Sequence, residues 1–347
     1  MDNLNNRITI LVNSCDTYDD LWFAFFTLLK KYWNPLDIPI ILNTESVDCF
    51  YDGLNIKCVH PQDKNVPYGE RLLNALKYVD TEYVIIMLDD FFLRESVNAD
   101  DITQIVNWMD NDKNIVYFNC DCTPVYADWE VEKYPGYKRI PWGNEYTLNM
   151  QVAVWRTKKL VKYWSKNISP WEWELYYNIN GAVNTKDKFY CAKSLNDGFC
   201  NYGYNYEGMG VFRGKWVMDD VQPLFEKEGI TVDFSKRGIY IKEELEGDDL
   251  ICTQLRDSLV KRERSSDLIN RCTPNFKNKY KRFVKKNVVL ETLTMGCKIE
   301  DLFSNYILLK QRKKWYKRRQ REELFLRIKK NGFFSEIGRY MYKLMKK

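Results

Sequence analysis

Tyr83-Val-Ile-Ile-Met-Leu-Asp89-Asp90-Phe-Phe-Leu93 is the most informative stretch of this chain. Six apolar or aromatic residues lead into two adjacent carboxylates, and three apolar residues follow, which predicts a buried strand. In open α/β sheets, ligands bind outside the carboxyl ends of the strands. Because an unpaired carboxylate is costly to bury, we expect Asp89 and Asp90 to hold a hard cation and, through it, a phosphate. The alternative is that one carboxylate caps the next turn and the other is solvated.

The segments on both sides of this strand alternate between strand and helix patterns. Strands are predicted at 8–14, 39–43, 56–60 and 114–120, and helices at 19–33, 68–79 and 99–109. Such alternation is typical of βαβ units, so the first 120 residues are predicted to be α/β, with a mostly parallel sheet flanked by helices. Further along we predict a loop at 124–146, a strand at 147–155, a helix at 157–164, short strands within 188–217, and a helical, more charged region from about residue 240.

Composition excludes several classes of protein. The chain has 347 residues, 45% of them hydrophobic and 15% aromatic, which is enough for a large core and excludes wholesale disorder. No run approaches the length of a membrane span, and the polar N-terminus is unlike a secretory signal, so the ten cysteines are expected to be reduced cytosolic thiols. His60 is the only histidine, which argues against a histidine-based zinc site or a Ser-His-Asp triad.

Charge is distributed unevenly along the chain. The net charge is +5, but residues 271–347 carry 23 Lys and Arg against 6 Asp and Glu, and the remainder is acidic. An acidic body with a basic tail is expected to meet two different partners.

The loop after the first predicted strand lacks the usual phosphate-binding glycines. Asn13-Ser-Cys-Asp-Thr-Tyr-Asp19 contains no glycine, and the chain has neither a dinucleotide-binding fingerprint nor a P-loop. If phosphates bind, a metal ion or basic side chains must hold them.

Four stretches, read in order, resemble bacterial GT-A-type glycosyltransferases of cell-surface polysaccharide synthesis. They are Ile10-Leu-Val-Asn-Ser-Cys-Asp-Thr-Tyr-Asp-Asp-Leu-Trp22, Tyr68-Gly-Glu-Arg71-Leu-Leu-Asn-Ala-Leu76, Ile86-Met-Leu-Asp89-Asp90-Phe-Phe92 and Ser169-Pro-Trp-Glu172-Trp-Glu174-Leu, with a looser fifth, Gly210-Val-Phe-Arg213-Gly-Lys215-Trp216. The resemblance covers roughly residues 8–240. It implies a GT-A-like (Rossmann-like) domain over 1–240, with a nucleotide-sugar-binding half at 1–120 and an acceptor-binding half at 121–240. The charge and helical pattern beyond this domain predict a helical, basic C-terminal region at 241–347.

The resemblance also implies roles for individual residues at the donor site. Donor-binding residues would be Asp16 and Tyr18 at the base and ribose, Arg71 beside the nucleotide, Asp89 and Asp90 at a cation on the diphosphate, and Arg213 and Lys215 at the diphosphate itself. The alternatives are that Asp16 and Tyr18 belong to a helix-capping turn and that the three basic residues are solvated.

The acidic stretch departs from the family pattern in two respects. The usual Asp-x-Asp becomes Asp89-Asp90-Phe91, and no histidine follows His60 to complete a metal site. A divalent cation, Mn²⁺ or Mg²⁺, can still bind through one or two carboxylates, with water and phosphate as its other ligands. Metal dependence is therefore left open.

The resemblance implies that Glu172 is at the position of the general base of an inverting transferase, and Glu174 is the second candidate. The base removes the acceptor proton while the nucleoside diphosphate leaves from the opposite face. Alternatively, Ser169 and Glu172 form a capping box at a helix start. An acceptor could stack on Trp155, Trp171 and Trp173, although a tryptophan in such a position is more often part of the core.

The basic tail combines charge with apolar residues. Eight positive charges lie within 310–321, and apolar residues follow at helical spacing up to Leu344. This pattern favours a helix lying on an anionic membrane surface; packing against the acidic body is the main alternative, and nucleic acid is disfavoured.

These observations lead to one predicted function and two alternatives. The prediction is a cytoplasmic transferase, peripheral at the inner face of the cell membrane, that moves a sugar from a nucleotide-sugar, with a UDP-sugar favoured, to a hydroxyl of a lipid-linked glycan, as in capsule or O-antigen synthesis. The first alternative is a sugar-nucleotidyltransferase, for which we would expect a glycine-rich loop after the first strand. The second is a non-catalytic glycan-binding protein on the same fold. The sequence gives no oligomeric state.

Overall fold

The computed structural model describes most of the chain up to residue 241. The described residues are 4–63, 66–122, 129–130, 133–140, 147–164, 170, 173–174, 186–194, 196–202, 210–212 and 214–241. The predictions made for Trp171, Glu172, Arg213 and the region 242–347 lie outside these residues.

A nine-stranded sheet organises the described residues. In chain order its strands are β1 (Ile8–Asn13), β2 (Ile40–Asn43), β3 (Ile56–Val59), β4 (Tyr83–Leu88), β5 (Ile115–Asn119), β6 (Trp129–Glu130), β7 (Tyr137–Ile140), β8 (Ala153–Arg156) and β9 (Lys188–Ala192). Their order across the sheet is β3-β2-β1-β4-β8-β5-β9-β7-β6. Only β7 and β8 run against the other seven strands. A separate hairpin pairs β10 (Val211–Phe212) with β11 (Lys215–Trp216).

Five described α-helices cover the two faces of the sheet. They are α1 (Asp19–Tyr32), α2 (Tyr68–Leu76), α3 (Ala99–Asn111), α4 (Thr157–Tyr163) and α5 (Met218–Glu228). Along β1 the side chains alternate between faces, so Ile8, Ile10 and Val12 join the core under α1, α3 and α5, whereas Leu11 joins the core under α2 and α4. The predicted fold class, a mostly parallel sheet flanked by helices, is therefore confirmed.

The prediction was wrong in three places beyond residue 120. Residues 129–130 and 137–140 form β6 and β7 within the predicted loop, residues 147–152 precede β8 rather than extending it, and α5 was not predicted. β7 is short and carries Lys138 and Arg139, so its apolar pattern is weak. α5 contains Pro223, a residue that normally argues against a helix interior.

The sheet places the candidate site at the point where its strand order reverses. β1 pairs in parallel with β2 on one side and with β4 on the other. Asn13 and Leu88, the last residues of β1 and β4, are paired in register, so the residues that follow them meet at one edge. This is the place where open α/β sheets bind ligands. Within the described part of the chain, no helix has the length and apolar character needed to cross a membrane.

Candidate functional site

Asp89 and Asp90 lie directly after β4 and are buried, with 3% and 8% of their surfaces exposed. The Ser14 hydroxyl donates a hydrogen bond to Oδ2 of Asp89 from the residue that follows β1. The Trp22 indole Nε1–H on α1 lies 3.2 Å from the same oxygen and 2.7 Å from Ser14 Oγ. The Asp89 carboxylate is thus fixed between the ends of β1 and β4.

The negative charge of this acid pair is poorly compensated by the protein. Burial, and then repulsion from Asp90, raise the pKa of Asp89 well above its ordinary value, although Ser14 and Trp22 oppose this. Burial also raises the pKa of Asp90 to about 7, and the positive charge of Arg237 lowers it only in part. Among the described side chains no Lys, Arg or His forms an ion pair with either carboxylate. Strongly perturbed carboxylates in a cleft are characteristic of functional sites.

Gly210 holds the backbone that carries this acid pair. Its N–H donates a 2.9 Å hydrogen bond to the carbonyl of Asp90. A Cβ at this position would lie 2.2 Å from the ring of Phe92 and 3.1 Å from the Asp90 carbonyl oxygen. Only glycine permits this close approach, which links the chain before β10 to the residues after β4.

Asp16 is engaged by the loop after β2. Its Oδ1 accepts hydrogen bonds from the backbone N–H groups of Glu45, Ser46 and Val47 at 3.0, 2.9 and 3.1 Å, and the Ser46 hydroxyl donates to Oδ2 at 2.5 Å. These contacts tie the loops after β1 and β2 together. The predicted contact of Asp16 with the base or ribose stays a prediction, and the observed contacts give Asp16 a structural role of its own.

Arg237 is a site residue that the sequence did not reveal. Its guanidinium lies 4.5 Å from the ring centroid of Tyr18 and 5.6 Å from that of Trp216. It forms an ion pair with Asp20 and donates to the carbonyls of Thr17 and Gly214 at 3.0 and 3.2 Å. Arg237 therefore fastens the loop after β1 to the β10–β11 hairpin, and its charge acts on Asp89 and Asp90.

Two predicted donor-binding residues, Tyr18 and Lys215, lie near the contacts that Arg237 makes with the loop after β1 and the β10–β11 hairpin. Tyr18 is partly buried beneath the Arg237 guanidinium, and burial raises the pKa of its hydroxyl to about 12, so it stays protonated. Lys215 is exposed on β11. Their roles in donor binding stay predictions.

Arg71 is buried, not solvated, in the first turn of α2. Its guanidinium forms an ion pair with Glu45 and lies 5.6 Å from the ring centroid of Tyr68. Burial lowers the pKa of Arg71, whereas electrostatic interactions with Cys15, Asp16 and Asp89 raise it. Within the described residues its Nε–H has no hydrogen-bond partner. The structure thus brings Arg71 to the same edge as the acid pair and excludes the solvated alternative.

Glu174, the reserve candidate for the general base, lies partly buried at this edge of the sheet. Its Oε1 accepts a 2.7 Å hydrogen bond from the backbone N–H of Met150, in the segment that leads into β8. The charge of Glu174 acts on the Tyr68 hydroxyl, as do those of Asp89 and Asp90. A carboxylate from the second half of the chain therefore lies within electrostatic reach of the same tyrosine as the acid pair.

Two of the predicted acceptor-binding tryptophans are core residues. Trp155 and Trp173 are each 1% exposed, and their rings pack against one another at a centroid distance of 5.9 Å. Trp173 Nε1–H also donates to the carbonyl of Tyr163 at 2.9 Å. A stacking floor for a sugar needs an exposed ring face, so the predicted acceptor role is wrong for these two residues.

The acid pair fits a divalent cation only if a substrate supplies part of the coordination. No cluster of three His, Cys, Asp or Glu side chains suited to a metal occurs among the described residues. Two buried carboxylates with uncompensated charge nevertheless suit Mg²⁺ or Mn²⁺, because such ions often bind through one or two carboxylates, with phosphate oxygens and water completing the shell.

Solved structures similar to this chain include S. aureus TarS residues 1–349, which is 15% identical with a TM-score of 0.34 and matches over 55% of this chain and 61% of that chain. The Pyrobaculum calidifontis mannosyltransferase PcManGT, in complex with GDP-Man and Mn²⁺, is 12% identical with a TM-score of 0.39, over 58% of each chain. The galactosyltransferase LgtC, in complex with donor and acceptor sugar analogues, is 16% identical with a TM-score of 0.30, over 44% of this chain and 59% of that chain.

In each of these three pairs the match covers less than two thirds of the other protein. No protein-family model matches the chain, and no curated protein matches its sequence. At identities and TM-scores this low, the likeness carries no argument about activity, which must come from the site itself.

Proposed function

We propose that this protein is a glycosyltransferase that moves a sugar from a nucleotide-sugar to a hydroxyl of a glycan. The observation that carries the proposal is the buried acid pair Asp89–Asp90 at the reversal point of the sheet, where no described Lys, Arg or His side chain forms an ion pair with it. A site of this kind is suited to a cation-bound diphosphate, because the cation offsets both the carboxylates and the phosphates.

The diphosphate of the donor would bind at this acid pair together with a divalent cation. Mn²⁺ or Mg²⁺ would be held by Asp89 and Asp90 and would stabilise the negative charge that develops on the leaving nucleoside diphosphate. Arg71, buried at the same edge, adds a positive charge. Arg213 and Lys215 are proposed to neutralise the outer phosphate oxygens, and Asp16 and Tyr18 to border the base and ribose, with a UDP-sugar as the favoured donor.

A carboxylate from the second half of the chain would act as the general base. In an inverting transfer, the acceptor oxygen forms a bond to the anomeric carbon while the bond to the diphosphate breaks, and the acceptor proton passes to the base. Glu172 is the proposed base. Glu174 is the alternative, supported by its position within electrostatic reach of the same tyrosine as the acid pair. Trp171 stays the proposed stacking partner of the acceptor.

The basic C-terminal region is proposed to bring the enzyme to its acceptor. Residues 310–321 carry eight positive charges, which suit an anionic inner-leaflet surface where a lipid-linked glycan of capsule or O-antigen type would be assembled. In this proposal residues 1–120 bind the donor, residues 121–240 bind the acceptor, and residues 241–347 bind the membrane. Removal of 310–347 should release the protein from anionic liposomes and leave neutral liposomes unbound; unchanged binding to anionic liposomes would contradict the proposed role.

A donor screen tests the proposed activity. The full-length protein is incubated with UDP-glucose, UDP-galactose, UDP-N-acetylglucosamine and GDP-mannose, with Mn²⁺, with Mg²⁺ or with a chelator. Water takes the place of the acceptor, and the slow hydrolysis of the donor is measured as release of nucleoside diphosphate. We expect release from one donor, abolished in Asp89→Asn and retained in Asp100→Asn, since Asp100 is exposed on α3. Equal release from Asp89→Asn and the parent protein would contradict the proposal.

A further inference from the structure

The hydroxyl of Tyr68 is a buried polar group that has no hydrogen-bond partner among the residues that the structure describes. Tyr68 is the first residue of α2, and its hydroxyl oxygen is inaccessible to solvent. Buried hydroxyls are nearly always paired, with protein, water or a ligand, because an unpaired one costs the full desolvation of the group.

The ring of Tyr68 is held in place by contacts that do not use the hydroxyl. The Trp164 ring lies 6.0 Å away, centroid to centroid, and the Arg71 guanidinium lies 5.6 Å from the ring centroid. Arg71 is in turn anchored by its ion pair with Glu45. The ring is therefore fixed, and within the described ranges neither the donor nor the acceptor capacity of the hydroxyl is used.

Carboxylates from two separate parts of the site act on this hydroxyl. Glu174 belongs to the segment that contacts Met150 before β8, and Asp89 and Asp90 follow β4. Burial and the charges of these three carboxylates, Glu174 foremost, raise the pKa of Tyr68 far above its ordinary value. The hydroxyl therefore keeps its proton and acts as a hydrogen-bond donor, not as a base.

We infer that the Tyr68 hydroxyl binds the transferred sugar of the donor by hydrogen bonding to one of its hydroxyl groups. This inference rests on the proposed function, in which the diphosphate lies at Asp89 and Asp90 and the general base lies in the segment of Glu174. In a transfer reaction the sugar must lie between its leaving diphosphate and the base that activates the acceptor. Contacts of the Tyr68 ring lead to both positions. The ring packs against Arg71, at the edge that carries the acid pair, and against Trp164, whose ring lies 4.2 Å, centroid to centroid, from that of Trp173, the neighbour of Glu174.

Binding by the variant Tyr68→Phe tests this inference, because the substitution keeps the ring and removes only the hydroxyl. We expect the affinity for the active nucleotide-sugar to fall on the order of tenfold, as for loss of one well-placed hydrogen bond. Affinity for the corresponding nucleoside diphosphate, which lacks the sugar, should be unchanged. Titration calorimetry of UDP, GDP and their sugars against the full-length protein measures both affinities.

The matched control is Tyr137→Phe, since the Tyr137 hydroxyl has a protein partner, donating to Asp101 at 2.5 Å. Tyr137→Phe should melt at a lower temperature and bind the donor normally, whereas Tyr68→Phe should melt at the parental temperature or above it. Normal nucleotide-sugar binding by Tyr68→Phe, or a lowered melting temperature like that of the control, would overturn the sugar contact alone. If the parent protein binds no nucleotide-sugar, the proposed function and the contact fall together.

Discussion

Replacing Asp90 by Asn should stabilise the metal-free protein at alkaline pH and weaken donor binding. In the folded state burial raises the pKa of Asp90 from 3.8 to about 7, so the folded protein binds this proton more tightly than the unfolded chain. Stability contributed by this proton is present in full below the ordinary pKa and is lost as the pH rises toward about 7. Above about 7 the loss is complete and the stability no longer changes with this group.

The size of the effect follows from the two pKa values. Each pH unit between 3.8 and about 7 corresponds to ~1.4 kcal/mol, so the ionised Asp90 lowers the free energy of unfolding by up to about 4 kcal/mol at alkaline pH. Asn carries no charge, so Asp90→Asn should recover a large part of this free energy near pH 8 and little or none near pH 4.

Urea unfolding followed by tryptophan fluorescence, with a chelator present, measures this difference between the two pH values. Asp100→Asn is the control, because Asp100 is exposed and should show no such pH-dependent gain. Adding Mn²⁺ should stabilise the parent protein more than Asp90→Asn, since a bound cation offsets the buried charge. If Asp90→Asn were destabilised equally at both pH values, the carboxylate would be well paired within the fold and the reasoning would be refuted.

Three further comparisons of variants examine other parts of the site. Glu172→Gln and Glu174→Gln should be compared directly: the true base should lose ~10²–10⁴-fold in turnover with donor affinity retained, and full turnover in both variants would exclude this segment as the source of the base. Arg237→Lys should destabilise the protein by ~1–3 kcal/mol, because lysine cannot stack between Tyr18 and Trp216 while pairing bidentately with Asp20; a melting temperature equal to that of Lys215→Arg, at an exposed position, would contradict this. Gly210→Ala should lower the free energy of unfolding by ~1–3 kcal/mol and also reduce donor affinity, because the added Cβ displaces Phe92 or the Asp90 carbonyl. The control is Gly214→Ala, where no atom lies near the added Cβ but φ is positive. This variant should lose stability without the same loss of donor affinity.

The first half of the fold could be predicted because each of its strands and helices has a clear apolar pattern within its own stretch of sequence. The run ending at Asp89 and Asp90 is apolar enough to be a buried strand, and the structure places β4 at Tyr83–Leu88 with both carboxylates buried at the sheet edge. Helix α1 has the expected apolar spacing and begins at the predicted Asp19. Such patterns report burial within one element and need no knowledge of its neighbours.

Residues that depend on distant contacts could not be found in the same way. Arg237 and Tyr68 are an ordinary arginine and tyrosine in sequence. Only the folded chain brings Arg237 onto Tyr18, or buries the Tyr68 hydroxyl without a partner among the described residues. Conversely, Trp155 and Trp173 suggested a sugar platform, but an aromatic residue type does not say whether its ring faces a ligand or the core.

Calorimetric titration of the full-length protein with nucleotide-sugars, in Mn²⁺ and in chelator, tests most directly whether the acid pair forms a donor site. The account predicts saturable binding of one nucleotide-sugar that strengthens with Mn²⁺ and is lost in Asp89→Asn, while Asp100→Asn binds like the parent. Absence of binding to every nucleotide-sugar, with or without the cation, or binding unaffected by Asp89→Asn, would contradict it.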